Sequence, residues 1–301
     1  MAQRTLGLDI GYSAIKGVVL EGNLASFQVV GFHIEPITIE KGADEEGYNF
    51  ALRSALRNIK EKLEPFDQVV SCLPGDIGAC SVLELPFSEP RKIEQTLGFQ
   101  LDDISPFDLD ELIYDYQFIE KGKEESRLLV GSAPHEKVGE FLEQLQDAEI
   151  DPRILMMNGM SYFHLFHDIP ALEEYGVWGV LDLGYRQSNL SIFQMYEDEK
   201  QEPMRAELVR SLSRGTKHLR QALTNTYSFD EGNDPMDYLF NNIDLHPQAN
   251  GGGDPTGTQA VERALTPIIA ELRRTIATIQ RRSKKKLHRL YITGSGVRIP
   301  S

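Results

Sequence analysis

Cysteine, tryptophan and long apolar runs are scarce in this chain, and cations are outnumbered by anions. Only Cys72 and Cys80 occur among 301 residues, in neither a Cys-x-x-Cys pair nor a histidine cluster. That excludes a disulfide framework and a thiolate metal site, and leaves two small core or loop thiols of a reduced, cytoplasmic protein. No stretch approaches the roughly 18 apolar residues of a membrane span, and the opening MAQRTLGLDIG has no apolar leader core. With 31 Lys and Arg against 46 Asp and Glu, the formal net charge is −15, which argues against broad nucleic-acid binding and general adhesion to anionic lipid. The single tryptophan, Trp178, opens an apolar run and reads as core. What is present, 41% hydrophobic and 26% charged residues, is ordinary for a globular protein of one large or two smaller domains.

Apolar, β-branched runs recur as TLGLDI, IKGVVL, FQVVGFHI, QVVSCLP, LLVGSA, VWGVLDL, SNLSIFQM, AELVRSL and LYITGSG. Helical period separates them. Tyr48, Leu52, Ala55, Leu56, Ile59 and Leu63 share one face, as do Val138, Phe141, Leu142 and Leu145. The longest such stretch, 258–282, carries Val261, Leu265, Ile268, Ile269, Leu272, Ile276 and Ile279 as its stripe, with Pro267 expected to mark a first turn or a kink. The mixture predicts an α/β protein. Residues 80–150 and 228–257 read as insertions, the second a short helix plus a Gly- and Pro-rich loop. The closing LYITGSGVRIPS reads as a strand, a glycine turn and the start of a further element, so the chain is expected to continue beyond Ser301.

The stretch LGLDIGYSAIKGVVL has an echo in GVLDLGYRQSNLSIF: an apolar strand, an Asp, one apolar residue, a Gly, a polar turn and a second strand. Glycine there permits close backbone approach, so that amides can face phosphate oxygens, and an Asp at the strand end can hold Mg²⁺ through water. A third turn, Gly294-Ser295-Gly296, follows the strand LYIT and is free of side chains that would obstruct a flat purine. One D-x-G turn alone is usually a plain hairpin. An ordered set of three points to nucleotide.

That set resembles the actin, Hsp70 and sugar kinase superfamily, and the finer resemblance is to the FtsA branch and, within it, to the PilM and GspL families of type IV pilus and type II secretion assembly. LPFSEPRKIEQTLGFQLDDISPFDLDELIYDYQ, LVRSLSRGTKHLRQAL and ELRRTIATIQRRS carry it alongside the three turns. The resemblance implies an actin-like (ribonuclease H-like) fold of two lobes, 1–175 with an FtsA-type inserted subdomain at about 80–150, and 176–301 with a smaller insertion at about 217–258. It implies ATP and Mg as ligands. By position, Asp9, Gly11, Tyr12, Ser13 and Lys16 would line the first phosphate turn, and Asp182, Gly184 and Ser188 the second, with Asp9 and Asp182 holding Mg through water. Gly215, Thr216 and Lys217 would lie near the ribose, Glu271 would face the nucleoside, and Gly294, Ser295 and Gly296 would approach the base.

Two departures from the family pattern matter. Hydrolysing relatives place an acid or amide on the segment after the first half, and here Met156–Met160 offers only Asn158, which argues against turnover. Tyr185, Arg186 and Gln187 are bulky where relatives have small residues, so that Arg186 either pairs with phosphate or fills the space a phosphate would need. His164 and His167, three apart and without a third ligand, read as surface or capping residues. The basic run RRSKKKLHR at 281–289 reads first as complement to a helix C-terminus, with membrane-surface contact as the alternative. LDDISPFDLDELIYDYQF alternates acids with Ile104, Phe107, Leu109 and Leu112, and is either a peptide-binding edge or an ordinary strand and turn. The resemblance implies a cytoplasmic scaffold at the inner face of the inner membrane that docks a PilN-type partner and the assembly ATPase. An FtsA-like filament-forming ATPase and a kinase or ATPase on the same fold remain open beside it.

Overall fold

In the computed structural model, residues 3–23, 26–39, 42–167, 176–195, 204–230, 232–246 and 253–300 are described. The side chains of His164 and His167 lie outside that description. The chain divides into two compact units, Met1–Ser161 and Tyr162–Ser301.

The first unit opens with an antiparallel meander, β1 (Gln3–Ile10), β2 (Ala14–Asn23) and β3 (Ser26–Pro36). Helix α1 (Glu45–Leu63) returns the chain to β4 (Gln68–Leu73), parallel to β1, and β8 (Pro152–Met157) adds on the far side of β4. The strand order is β3-β2-β1-β4-β8. Burial in β2 alternates, so Ile15 and Val19 face the core with Leu6 and Leu8 of β1. The predicted helical stripe packs on them through Leu52, Ala55, Leu56, Ile59 and Leu63, helped by α3 (His135–Gln146) with Val138, Phe141 and Leu145. Asp44 caps α1 by accepting the Gly47 amide, with Glu45 and Glu46 in the first turn and Lys60 and Lys62 in the last.

Edge strand β3 is tied to α1 by a buried carboxylate. Glu35 accepts hydrogen bonds from Lys62 Nζ at 2.9 Å and Asn58 Nδ2 at 3.0 Å, and lies 2.9 Å from His33 Nε2. Those hydrogen bonds, Lys62's first, hold its pKa down at about 2.

Three strands and a helix that the periodicity did not resolve, or resolved only in part, form a separate layer in the same unit. β5 (Ala79–Leu85), β6 (Leu112–Lys121) and β7 (Ser126–Pro134) pair antiparallel in the order β5-β7-β6, and α2 (Pro90–Asp102) covers one face. Their own core is Leu85, Ile93, Leu97, Leu101, Leu128 and Val130. Helix α4 (Met160–His167) carries the boundary between the two units.

The second unit repeats the first meander. β9 (Gly176–Leu183), β10 (Ser188–Met195) and β11 (Met204–Leu212) run antiparallel, and β12 (Leu287–Thr293) lies parallel to β9, giving the order β11-β10-β9-β12. Between β11 and β12 come α5 (Lys217–Thr226), α6 (Pro235–Asn242) and α7 (Pro255–Ser283). Trp178 is buried and stacks on Tyr291 at 5.7 Å.

Two details of α7 differ from the sequence expectation. The helix starts before residue 258, because Asp254 caps it by accepting the Thr256 and Gly257 amides with Pro255 at N1. Pro267 therefore lies inside the helix and marks no first turn. Ile269, placed on the buried stripe by periodicity, is 42% exposed, while Val261, Ile268, Leu272 and Ile279 are buried. The Asp254 carboxylate also accepts hydrogen bonds from the Tyr227 hydroxyl and, at 3.1 Å, the Tyr238 hydroxyl.

Candidate functional site: three glycine turns and an exposed ion pair

In the first unit, the β1–β2 register places Asp9 opposite Lys16, and Lys16 Nζ lies 2.6 Å from Asp9 Oδ2. Both side chains are more than half exposed, at 58% and 53%. The turn between the strands is closed by the Gly11 amide donating to the Ala14 carbonyl at 3.1 Å. A Cβ on Gly11 would lie 2.9 Å from that carbonyl, so a side chain there would press against the closing bond. Tyr12 is turned away from the strands: its hydroxyl donates to Asp76 Oδ2 at 2.8 Å and its ring stacks on Tyr48 at 5.7 Å. Ser13 is exposed at the tip, and its carbonyl accepts the Ile37 amide at 2.9 Å. Nearby, burial and then the Asp9 charge push the Cys72 thiol up to about 11, while burial alone pushes Cys80 up to about 12. Both shifts disfavour the thiolate, the nucleophilic form, at neutral pH.

In the second unit, Asp182 stands opposite Asn189, and Gly184 through Gln187 form a turn of the same length. Two further turns close on it. The Gly184 carbonyl accepts the Thr216 amide at 2.9 Å and the Tyr185 carbonyl accepts the Lys217 amide at 2.8 Å. The buried Ser188 hydroxyl donates to the Arg214 carbonyl at 2.6 Å, pinning the same segment from beneath. Ser295 Oγ donates to the Leu183 carbonyl at 3.3 Å and lies 3.2 Å from Thr216 Oγ1.

Two glycines make these approaches possible. A Cβ on Gly215 would sit 2.5 Å from the Gly184 carbonyl oxygen and 2.6 Å from that of Tyr185. Gly294 has φ +87°, and a Cβ there would overlap the Asp182 carboxylate and the Leu183 carbonyl. Gly296 packs on the Leu183 side chain.

The structure thus brings Asp182, Gly184, Ser188, Gly215, Thr216, Lys217, Gly294, Ser295 and Gly296 together in one unit, and Asp9, Gly11, Ser13 and Lys16 around one turn of the other. Tyr12 belongs to that turn by backbone only. Glu271 is held by Arg210 of β11, whose Nη2 lies 3.1 Å from its Oε1. Sequence reasoning missed Asp76 and Tyr48 as partners of Tyr12, and the Arg214 carbonyl as partner of Ser188. None of these carries a signal in the sequence, because each pairs residues that lie far apart along the chain.

Of the four apolar residues picked out as partner-binding, Ile104 and Phe107 are 51% and 45% exposed. Leu109 and Leu112 are half-buried, Leu109 lying over Gly98 of α2. Strand β6, which Leu112 begins, is an edge of its sheet. Among the described residues no group of three or more His, Cys, Asp or Glu side chains is placed to hold a metal ion, and no helix is long and apolar enough to cross a membrane.

A meander of three antiparallel strands flanked by a parallel fourth, occurring twice, with glycine turns at the ends of its strands, defines an actin-like fold. A solved structure described as a PilM-PilN type IV pilus biogenesis complex matches with TM-score 0.76 at 21% identity, covering 97% of this chain and 81% of that one. The family model for the type IV pilus assembly protein PilM matches residues 7–233, and the chain belongs to that family. The ethanolamine utilization protein EutJ from Carboxydothermus hydrogenoformans matches with TM-score 0.47 at 13% identity, over 97% of this chain and 76% of that one. The cytoplasmic domain of EpsL, an inner membrane component of the type II secretion system of Vibrio cholerae, matches with TM-score 0.44 at 14% identity, over 78% of this chain and 79% of that one. At those identities the likeness speaks to fold alone. No curated protein matches.

Proposed function

We propose that this chain is a nucleotide-holding scaffold of a type IV pilus assembly platform at the inner face of the inner membrane. It binds ATP with Mg²⁺, turns it over at or near background, and docks a PilN-type partner and the assembly ATPase. The observation that carries the reading is the convergence in the second unit of three turns distant in sequence, with glycines where any Cβ would collide. Backbone packed that tightly at a strand end costs conformational freedom, and nucleotide recognition is the return on that cost.

The residues present fit such a ligand. In the first unit Asp9 would hold Mg²⁺ through water and Lys16 would set a cation toward phosphate oxygens; in the second, Asp182 and Lys217 would offer the same pair of groups. The Asp9–Lys16 pair is exposed, so each partner can exchange the other for a ligand at little cost. Ser188 and Thr216 act through the turns they pin, Gly11, Gly184 and Gly215 by admitting close backbone, and Gly294, Ser295 and Gly296 by offering a base a face free of bulk. Mg²⁺, when bound, would offset phosphate charge. The Met-rich segment 156–160 offers Asn158 alone, with no acid beside it, for orienting an attacking water, and that is the basis for assigning little turnover.

For the partner, support comes from the complex named for the matched PilM structure and from the exposed Ile104 and Phe107 ahead of the β6 edge. An extended peptide adding to that edge would use main-chain hydrogen bonds for affinity and the apolar residues for selection.

Saturating ATP with Mg²⁺ is expected to stabilise the protein by about 2.7 kcal/mol at a hundredfold excess over Kd, read as a rise in Tm. Asp9→Ala abolishes the rise. Unchanged melting at high ATP removes the nucleotide claim and leaves the scaffold claim standing. Phosphate release that disappears in Asp9→Ala favours an ATPase instead. A pull-down with the N-terminal peptide of a PilN-type protein tests the docking claim, and failure of the wild type to bind counts against it.

A further inference from the structure

The turn joining α7 to β12 concentrates positive charge in a strongly acidic protein. Arg281, Arg282, Lys284, Lys285, Lys286 and Arg289 are all exposed, in a chain of net charge −15. Structural roles account for some of them. Arg281 and Arg282 lie in the last turn of α7, where cations complement the helix dipole, an effect confined to that turn. Arg289 lies on β12, the edge of its sheet, where charge discourages unwanted pairing, and its guanidinium stacks 5.6 Å from the Trp178 ring.

Lys284, Lys285 and Lys286 lie past that last helical turn and ahead of the strand. Lys284 ends the helix in the left-handed conformation (φ 56°), the turn then reverses direction, and pairing with β9 resumes only at Leu287. The three lysines therefore form the tip of the connection, beyond the helix and before the ladder, with Arg281, Arg282 and Arg289 at its base. A register shift between Leu287 and Arg289 adds the exposed His288 to the same end.

We propose that this tip binds the headgroups of an anionic lipid bilayer, independently of the nucleotide reading. An exposed cluster of lysines, hydrated point charges on flexible stems, suits a flat and fluid plane of negative charge. A duplex nucleic acid would call for an extended basic track along its phosphates, and the rest of this chain carries a net negative charge. Screening over about 8 Å at physiological salt lets the local patch act without the distant acids cancelling it.

The test is co-sedimentation of the chain with vesicles of phosphatidylglycerol and phosphatidylcholine, and with phosphatidylcholine alone. Binding to the anionic vesicles only, weakening as salt rises, is expected. Lys284→Gln, Lys285→Gln and Lys286→Gln together should weaken it about a hundredfold, at roughly fivefold per cation. The same positions changed to Arg should retain binding, and melting of both variants should match wild type, which separates charge from folding. Absence of binding to anionic vesicles, equal binding to neutral ones, or binding unaffected by the Gln variant overturns the proposal. So does retention of a DNA duplex in a gel shift without vesicle binding.

Discussion

The β1–β2 and β9–β10 hairpins pair residue for residue at one constant offset in sequence. Asp9 opposite Lys16 becomes Asp182 opposite Asn189, and the irregularity after Val19 in the first recurs after Ile192 in the second. Their surroundings differ. Burial in β2 alternates, leaving one face open, whereas in β10 every residue from Ser188 to Gln194 is buried. The first turn ends in an exposed ion pair; the second is pinned by the Thr216 and Lys217 amides of one neighbouring turn and the Ser295 hydroxyl of another. One hairpin design thus supplies an open, charged turn in one unit and a closed, rigid one in the other. Register belongs to the hairpin, and environment belongs to whatever packs on its second face.

The largest effect should come from glycines that face backbone. Gly215→Ala pushes a methyl against two carbonyl oxygens and should destabilise the second unit by about 3 kcal/mol, some 6–12 °C in Tm. Its counterpart in the open hairpin, Gly11→Ala, meets one carbonyl at 2.9 Å and should cost about 1 kcal/mol. Equal effects on calorimetry would mean that both turns are equally free to relax, and the contrast would fail.

Next is the cap of α7. Asp254→Ala leaves two amides and two tyrosine hydroxyls without their acceptor, for a loss of about 2 kcal/mol by urea denaturation. Burial pushes the Asp254 pKa up, but the Tyr227, Gly257, Tyr238 and Thr256 hydrogen bonds outweigh it and hold the carboxyl below its ordinary range. The same contacts, led by the Asp254 hydrogen bond, push Tyr227 up to about 12.

Glu35 in the first unit gives a smaller effect that depends on pH. Its carboxyl has a pKa near 2 folded against 4.5 in its unperturbed state, so its stabilisation is complete above pH 4.5 and fades as pH falls from there towards 2. Glu35→Gln should flatten that acid limb, removing on the order of 1–2 kcal/mol at neutral pH. An acid limb with unchanged slope in Glu35→Gln would assign it to other carboxyls.

Lys16→Met, at the exposed pair, should change stability by less than about 0.5 kcal/mol while reducing any ATP-dependent rise in Tm. A large loss of stability without nucleotide would show that the pair is structural rather than available.

Much of the fold was readable from local pattern. The stripes of α1 and α3 follow from period alone, as do the strands of both meanders, because each is decided by residues within one or two turns of each other. The echo of LDIGY in LDLGY exposed the duplicated hairpin. The layer built on β5, β6 and β7 was visible only in part: LLVGSA marked β7, and the rest read as an acidic insertion, since acids are interspersed along β6 and the helix carries little periodicity beyond Ile93, Leu97 and Leu101. Pro267 was readable only as a first turn or a kink; it lies inside the helix, whose start is set by Asp254 accepting the Thr256 and Gly257 amides.

The sequence by itself determined the strand runs, the amphipathic helices, the paired Asp-x-Gly turns and the basic tip at 284–286, all of which depend on neighbours along the chain. Only the tertiary structure decided which glycines admit no side chain, that Ser188 and Thr216 are buried pins, and that Glu35 ties an edge strand to α1. The reason is distance along the chain. Thr216 meets Ser295 across 79 residues and Ser188 meets Arg214 across 26, and such pairings leave no period in the sequence, because they exist only once the intervening elements have packed.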